Sequence, residues 1–193
     1  FFMGRGCPYK CTYCFNTGYN KLSEGKGNIV RMRSVDNVIK EIKEVYEKEK
    51  IECAHFYDDT FTLAGKPWLR EFAKRMKEEI GIPFVCNVRP NTIDEEMVQI
   101  LKSGGCYTAW MGVETADDEV RNGLLKRELS KEDMLNACRL FRKYKIKTVP
   151  QIMLGLPTKD TFKKDLETLR FCIKLKPTFV CSSIFYPYPS TEL

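Results

Sequence analysis

Three cysteines within eight residues constrain this chain more than any other feature it carries. The segment Arg5-Gly6-Cys7-Pro8-Tyr9-Lys10-Cys11-Thr12-Tyr13-Cys14 spaces them as C-x3-C-x2-C. Thiolates bind soft iron strongly, and so short a spacing lets one loop wrap three corners of a cubane iron-sulfur cluster. The fourth corner then has no protein ligand and can take a chelating small molecule, as open catalytic metal sites do. Gly4 and Gly6 give the backbone room to approach, so that its N–H groups can tune the sulfides. A zinc site and three buried structural cysteines are the alternatives. Structural zinc wants four ligands in paired short spacings, and the sequence has no second C-x2-C and no His pair. A disulfide scaffold fits poorly as well, because nine cysteines is an odd number and 193 residues is long for such a chain.

Downstream of this loop, strand-like apolar runs alternate with amphipathic helical stretches. The runs fall at 1–3, 53–57, 84–88, 107–113, 148–154 and 179–186, and the helical stretches at 35–49, 67–80, 94–103, 130–144 and 159–175. Leu69, Phe72, Ala73 and Met76 recur at three-to-four spacing, as do Met134, Ala137, Cys138 and Phe141, which marks core-facing stripes. Ser34 with Asn37, Thr92 with Glu95 and Ser130 with Asp133 read as helix starts. Gly104-Gly105 reads as a left-handed helix end. Strand and helix in alternation imply a parallel sheet with right-handed crossovers. A complete eight-stranded barrel usually needs about 250 residues. Six strands in 193 residues therefore predict an α/β fold, a partial (β/α)6 TIM-like barrel with parallel strands, as one domain over 1–193. Chemistry in such folds gathers at the carboxyl ends of the strands.

Composition narrows the function classes. The net charge of +6 comes from 32 basic and 26 acidic residues that interleave, as at Glu41, Lys43, Glu44, Glu47 and Lys48, the pattern of a solvated helix face. The densest basic stretch, Arg142, Lys143, Lys145 and Lys147, falls at an expected helix end, where cations complement the helix dipole. A single aromatic, Tyr144, does not make it an aromatic-interleaved basic platform, so nucleic acid is not expected as a partner of this segment. No apolar run approaches the roughly 20 residues that span a bilayer, and no export signal is visible, so neither a membrane nor secretion is expected and the cytoplasm is the expected location. The chain begins at Phe1, not Met, just ahead of the cysteines, and is expected to be a fragment of a longer protein with flanking domains. The lone His55 reads as a core histidine without a role. Cys53, Cys86, Cys106, Cys138, Cys172 and Cys181 read as small hydrophobes, too widely spaced for a second cluster.

The cysteine spacing, with aromatic Tyr13 before the last thiol and the loop placed after the first strand, resembles the signature of the radical S-adenosylmethionine (SAM) superfamily core domain. That resemblance implies a 4Fe-4S cluster on Cys7, Cys11 and Cys14 whose unique iron chelates the amino and carboxylate groups of SAM. One electron then cleaves the sulfonium and releases a 5′-deoxyadenosyl radical. It implies cofactor-binding roles at the strand ends, with Tyr13 counted among them. Asn87 and Arg89 would face SAM, Arg89 being suited to hold an anionic group bidentately. Glu114, in Gly112-Val113-Glu114-Thr115, resembles the glutamate of a Gly-x-Glu-Ser segment and would accept hydrogen bonds from SAM. Lys126, expected in the following helix, would offer a cation to the SAM carboxylate. Gln151 would lie near the ribose and Gly155 near the adenine, in a segment resembling Gly-Leu-Pro-Gly-Glu-Thr; here Thr158-Lys159-Asp160-Thr161 departs from it by one residue.

The Asp58-Asp59 pair after the second strand has two readings, as acceptors for the SAM ammonium or substrate, or as a turn and helix cap. Together with Tyr186-Pro187-Tyr188-Pro189, it makes the chain look most like the branch that often carries an upstream cobalamin-binding domain and includes methyltransferases and the anaerobic Mg-protoporphyrin ester cyclase. Cobalamin is thus expected only through a domain outside this segment, and a flavodoxin-like or ferredoxin-like reductant is implied. Methyl transfer and oxidative cyclisation are the expected outcomes on an unidentified substrate. A methylthiotransferase, a non-catalytic iron-sulfur protein and a barrel serving only as an interaction module are the rivals. No residue of the chain itself is expected to act as acid, base or nucleophile.

Overall fold

The computed structural model describes residues 1–193 and shows five parallel strands joined by helices. In chain order the elements are β1 (Gly4–Arg5), α1 (Phe15–Leu22), β2 (Arg31–Met32), α2 (Val35–Glu49), β3 (Ala54–Phe56), α3 (Gly65–Arg75), β4 (Phe84–Val88), α4 (Glu95–Ser103), β5 (Cys106–Glu114), α5 (Lys131–Lys143), β6 (Lys147–Leu154), α6 (Thr161–Leu175) and β7 (Cys181–Ile184). Strands β3 to β7 lie side by side in sequence order, all parallel, in a curled, half-barrel sheet. The partial barrel expected from the alternation is present, but with five strands in its sheet rather than six.

The missing strand has a physical explanation. Phe1 makes the two bonds of a parallel bridge to β3, its N donating to His55 O at 2.7 Å and its O accepting from Tyr57 N at 3.0 Å. The next amides leave the ladder. Met3 N and Gly4 N donate instead to the buried carboxylate of Asp58, at 3.0 and 2.8 Å. The chain turns away there, and β1 pairs antiparallel with β2.

Buried side chains on one face of the sheet and on the helices make a single large core. At its centre Phe56, Phe61, Phe72 and Phe84 pack with ring centroids 5.0 to 5.7 Å apart, mostly edge-on or tilted. Such pairs contribute roughly 0.5–1.5 kcal/mol beyond area burial. The caps at Ser34 and Ser130 form as expected, the latter with reciprocal bonds to Asp133. The cap of α4 is Asp94, which accepts from Met97 N at 2.7 Å. Thr92, expected in that role, instead bonds Arg89 O and Thr62 from a short 3-10 turn over Pro90–Thr92. Proline at the start of that turn moves the helix start two residues on. Gly105, at φ 93, supplies the left-handed exit. No helix is long and apolar enough to cross a membrane.

The segment after β5 carries Arg127 to the cleft described below. It forms a π-helical turn over Val120–Leu124, not the longer helix expected to contain Lys126. Arg121 pins it. This side chain is fully buried, its Nε donating to Leu129 O at 2.7 Å and its Nη1 to Thr115 O and Ala116 O at 3.2 Å, with Asp118 completing the set. Removing a buried cation from such a nest strands three carbonyls and leaves a cavity. Arg121→Ala is expected to lower the unfolding free energy by about 3 kcal/mol. Urea unfolding followed by circular dichroism reads this; a loss below about 1 kcal/mol would mean that the segment is held by something else.

Candidate functional site

The cysteine loop is shaped by local chemistry before any metal is considered. Gly6 sits at φ 91, and a Cβ there would lie 1.9 Å from Ile29 O, so no other residue fits. Cys14 is the N-cap of α1, and α1 turns its polar side chains back on the loop. Thr17 Oγ1 donates to Cys11 O at 3.0 Å, and Asn20 Nδ2 to Cys7 O at 2.8 Å. Asn16 Nδ2 donates to Asp59 Oδ1 at 2.8 Å and lies 3.6 Å from Cys14 Sγ. Across the loop, Thr12 bonds the carbonyls of Leu124 and Leu125 through its Oγ1 and N. The cysteine loop is thereby fastened to the segment that Arg121 pins.

These elements enclose a cleft of about 270 Å³ at the carboxyl ends of β3, β4, β5 and β6. All three thiols line it. In a cubane cluster each of three such thiols would hold a different iron atom. Burial pushes the Cys7 thiol up to about 11 and also raises Cys14, with Asp59 and the neighbouring sulfurs adding to the effect and backbone N–H groups opposing it. At Cys7 and Cys14 the loop alone therefore disfavours thiolates at neutral pH. Bound iron supplies the positive charge they require, so the donor set fits an iron-sulfur cluster.

Of the residues singled out from the sequence, Tyr13, Asn87, Arg89, Glu114 and Gln151 line the cleft with the thiols, and Lys126 and Gly155 do not. Gly155 N bonds Asp165 at 3.1 Å on an exposed turn. Lys126 Nζ reaches outward to Glu192 at 2.6 Å. Lys126 has φ 50, so no helical register carries its side chain inward. Its neighbour Arg127 lines the cleft instead, beside Arg89, and sequence reasoning missed it. Nothing in two adjacent cations says which one is buried.

Arg127 organises the floor of the cleft. Its Nη1 donates to Tyr13 Oη at 2.6 Å and Glu114 Oε1 at 3.1 Å, its Nη2 to Gly112 O at 2.6 Å, and its buried Nε has no partner. Burial works against the charged form, but the Glu114 carboxylate and the hydrogen bond to Tyr13 act the other way and its pKa is raised. Burial, then the charge of Glu114, pushes the Tyr13 phenol well above its ordinary value, so it stays a neutral donor to Glu114 at 3.1 Å. Glu114 ends β5 with φ 62, past an irregularity in the β5–β6 register, and this left-handed residue turns its carboxylate onto Arg127. A Cβ at Gly112 would lie 2.5 Å from Glu114 Oε1, so a larger residue there would displace the carboxylate. Asn87 Nδ2 bonds Asp58 O at 3.2 Å. Of the two aspartates, Asp58 spends its carboxylate on the Met3 and Gly4 amides, whereas Asp59 keeps one oxygen free beside Asn16.

Comparison with known proteins bears on this geometry. A family model described as the Radical SAM superfamily matches residues 1–169. An uncharacterized methyltransferase of Pyrococcus horikoshii is 29% identical over 191 residues, covering 98% of this chain and 39% of that protein. The anaerobic magnesium-protoporphyrin IX monomethyl ester cyclase of Cereibacter sphaeroides is 25% identical, over 99% of this chain and 30% of its own length. In fold, the chain is similar to the radical SAM methyltransferase TsrM of Kitasatospora setae, solved with cobalamin and a [4Fe-4S] cluster, with a TM-score of 0.82, 22% identity, and 99% and 35% of the two chains covered. The chain spans under half the length of the curated relatives it matches, from 28% to 43%. The family match runs from the cysteine loop through every strand end that lines the cleft, and the chain belongs to the radical SAM superfamily.

Proposed function

We propose that residues 1–193 are the core in which a longer enzyme reductively cleaves SAM, and that methyl transfer to an unidentified substrate is the outcome. The observation that carries the reading is the enclosure of three thiols, a buried Arg127–Glu114 ion pair and polar strand ends in one cleft. When bound, the cluster and SAM supply one-electron cleavage of a sulfonium carbon–sulfur bond. The chain holds, orients and keeps water away. Cys7, Cys11 and Cys14 would hold the cluster. Arg127 takes the place expected of Lys126, offering its guanidinium to the SAM carboxylate. Glu114 and the free oxygen of Asp59 would accept from the ammonium. A zwitterionic amino-acid end complements a cleft that presents cation and carboxylates side by side. Asn87 and Gln151 would serve the remaining polar groups of SAM, and Tyr13, fastened to both Glu114 and Arg127, would hold that pair in place.

Methyl transfer is favoured because the 29% identical relative is named a methyltransferase and the TsrM fold resemblance points the same way. Cobalamin is expected from a flanking domain, as the TsrM structure carries it. A flavodoxin-like or ferredoxin-like protein would deliver the electron, and nine free cysteines suit a reducing, cytoplasmic setting.

Two outcomes check this. Anaerobic reconstitution is expected to give an EPR-active reduced cluster whose spectrum changes when SAM is added, with 5′-deoxyadenosine formed on reduction, and Cys7→Ala, Cys11→Ala or Cys14→Ala each abolishing the cluster. A spectrum indifferent to SAM would make the chain an electron carrier instead. In SAM-binding measurements, Arg127→Ala is expected to weaken the Kd at least about tenfold, about 1.4 kcal/mol, with Arg127→Lys intermediate. Lys126→Ala is expected to change it less than about twofold. Equal losses at 126 and 127 would overturn the assignment.

A further inference from the structure

Arg89 is the buried cation of the cleft that has no carboxylate partner. Its side chain is only 5% exposed. Nε donates to Asn91 Oδ1 at 3.0 Å, Nη2 donates to Arg127 O, and Nη1 lies 4.0 Å from Cys11 Sγ. The guanidinium carbon sits 3.7 Å from the centroid of the Tyr9 ring, which belongs to the cysteine loop. With Nε and Nη2 engaged and one face on Tyr9, the nitrogen left over is Nη1, the one beside Cys11. It is well placed to act on the thiol beside it.

The three thiols meet unlike surroundings. Cys7 and Cys14 feel the negative charge of Asp59, and Asn16 leans on Cys14 as a neutral donor. Cys11, the most buried of the three, faces the Arg89 guanidinium and lies within the electrostatic reach of Arg127. The charge of Arg127 is largely matched by Glu114, at 3.1 Å; that of Arg89 has no carboxylate partner.

We infer that Arg89 is a positioning residue that raises the reduction potential of the cluster by holding an unneutralised cation, stacked on Tyr9, against the Cys11 ligand. The inference rests on the assignment of the cluster to Cys7, Cys11 and Cys14. Reduction adds one electron to the cluster. A fixed positive charge in a poorly polarisable site favours the more negative, reduced form, as do hydrogen bonds to ligating sulfur.

The test is an EPR-monitored redox titration of the anaerobically reconstituted chain without SAM, with iron and sulfide measured on each preparation. Arg89→Gln is expected to shift the one-electron equilibrium about tenfold toward the oxidised cluster, about 59 mV. Arg89→Lys, which keeps the charge, is expected to stay within about threefold of the wild type. A glutamine variant with full cluster content and a wild-type potential overturns the inference. Should the glutamine variant fail to retain its cluster, pulsed EPR of the reduced wild type labelled with 15N-arginine decides. A guanidinium nitrogen coupling that persists in Arg127→Lys supports it, and absence of coupling in the wild type overturns it. A wild-type chain that assembles no cluster would refute the cluster assignment itself, a result distinct from either.

Discussion

Buried arginine is expensive, and the site depends on how this chain meets that expense. Three guanidinium groups, those of Arg89, Arg121 and Arg127, are withdrawn almost entirely from water. A buried charge is tolerated only where hydrogen bonds and countercharge replace its hydration. Here the replacements come from the ends of parallel strands and the loops beyond them: Thr115 O, Ala116 O and Leu129 O for Arg121, Gly112 O and Glu114 for Arg127, Arg127 O and Asn91 for Arg89. Arg121 shapes the segment after β5, and that segment delivers Arg127 into the cleft. The main chain of Arg127 then receives Arg89. The three form a chain of contacts beside the cysteine loop, which Thr12 fastens to the same segment.

On the other side of the cleft the same principle works with the opposite charge. Asp58 is buried at the end of β3, and burial pushes its carboxyl up, opposed by the Met3 and Gly4 amides. Those two bonds take the chain out of the sheet and aim it toward Gly6, whose φ no side chain tolerates. The cysteine loop thus starts from an anion-bound backbone and ends at the cap of α1. Thiols come to face a cation on one flank and a carboxylate on the other. The site is polar and asymmetric before any cofactor enters it.

Much of the fold was legible in the sequence because period and punctuation agree there. The stripe Leu69, Phe72, Ala73, Met76 is a helix face and is buried as one, and the Ser130–Asp133 box forms with both of its bonds. Phe84–Val88 is a strand with the boundaries read from its apolar run. What escaped was decided by competition between groups far apart in the chain. Residues 1–3 read as a strand, but only Phe1 joins the sheet, because Asp58 takes the amides of Met3 and Gly4. Thr92 reads as a cap, but a proline turn and Thr62 claim it. The helix α1 was hidden because Phe15–Leu22 has few residues and only Asn16 among them is buried.

For the site, the residue types and spacing of Cys7, Cys11 and Cys14 establish by themselves that one loop presents three soft ligands, and the alternation of strand and helix establishes that later polar residues gather at one end of a sheet. Chemistry local in sequence needs no partner from elsewhere to be read. The choice of Arg127 over Lys126, and the placing of Arg89 against Tyr9 and Cys11, belong to the tertiary structure alone. Adjacent cations are equivalent until a left-handed residue at 126 sends one to water and the other to Glu114. Which buried group an arginine serves depends on partners that only packing brings within reach.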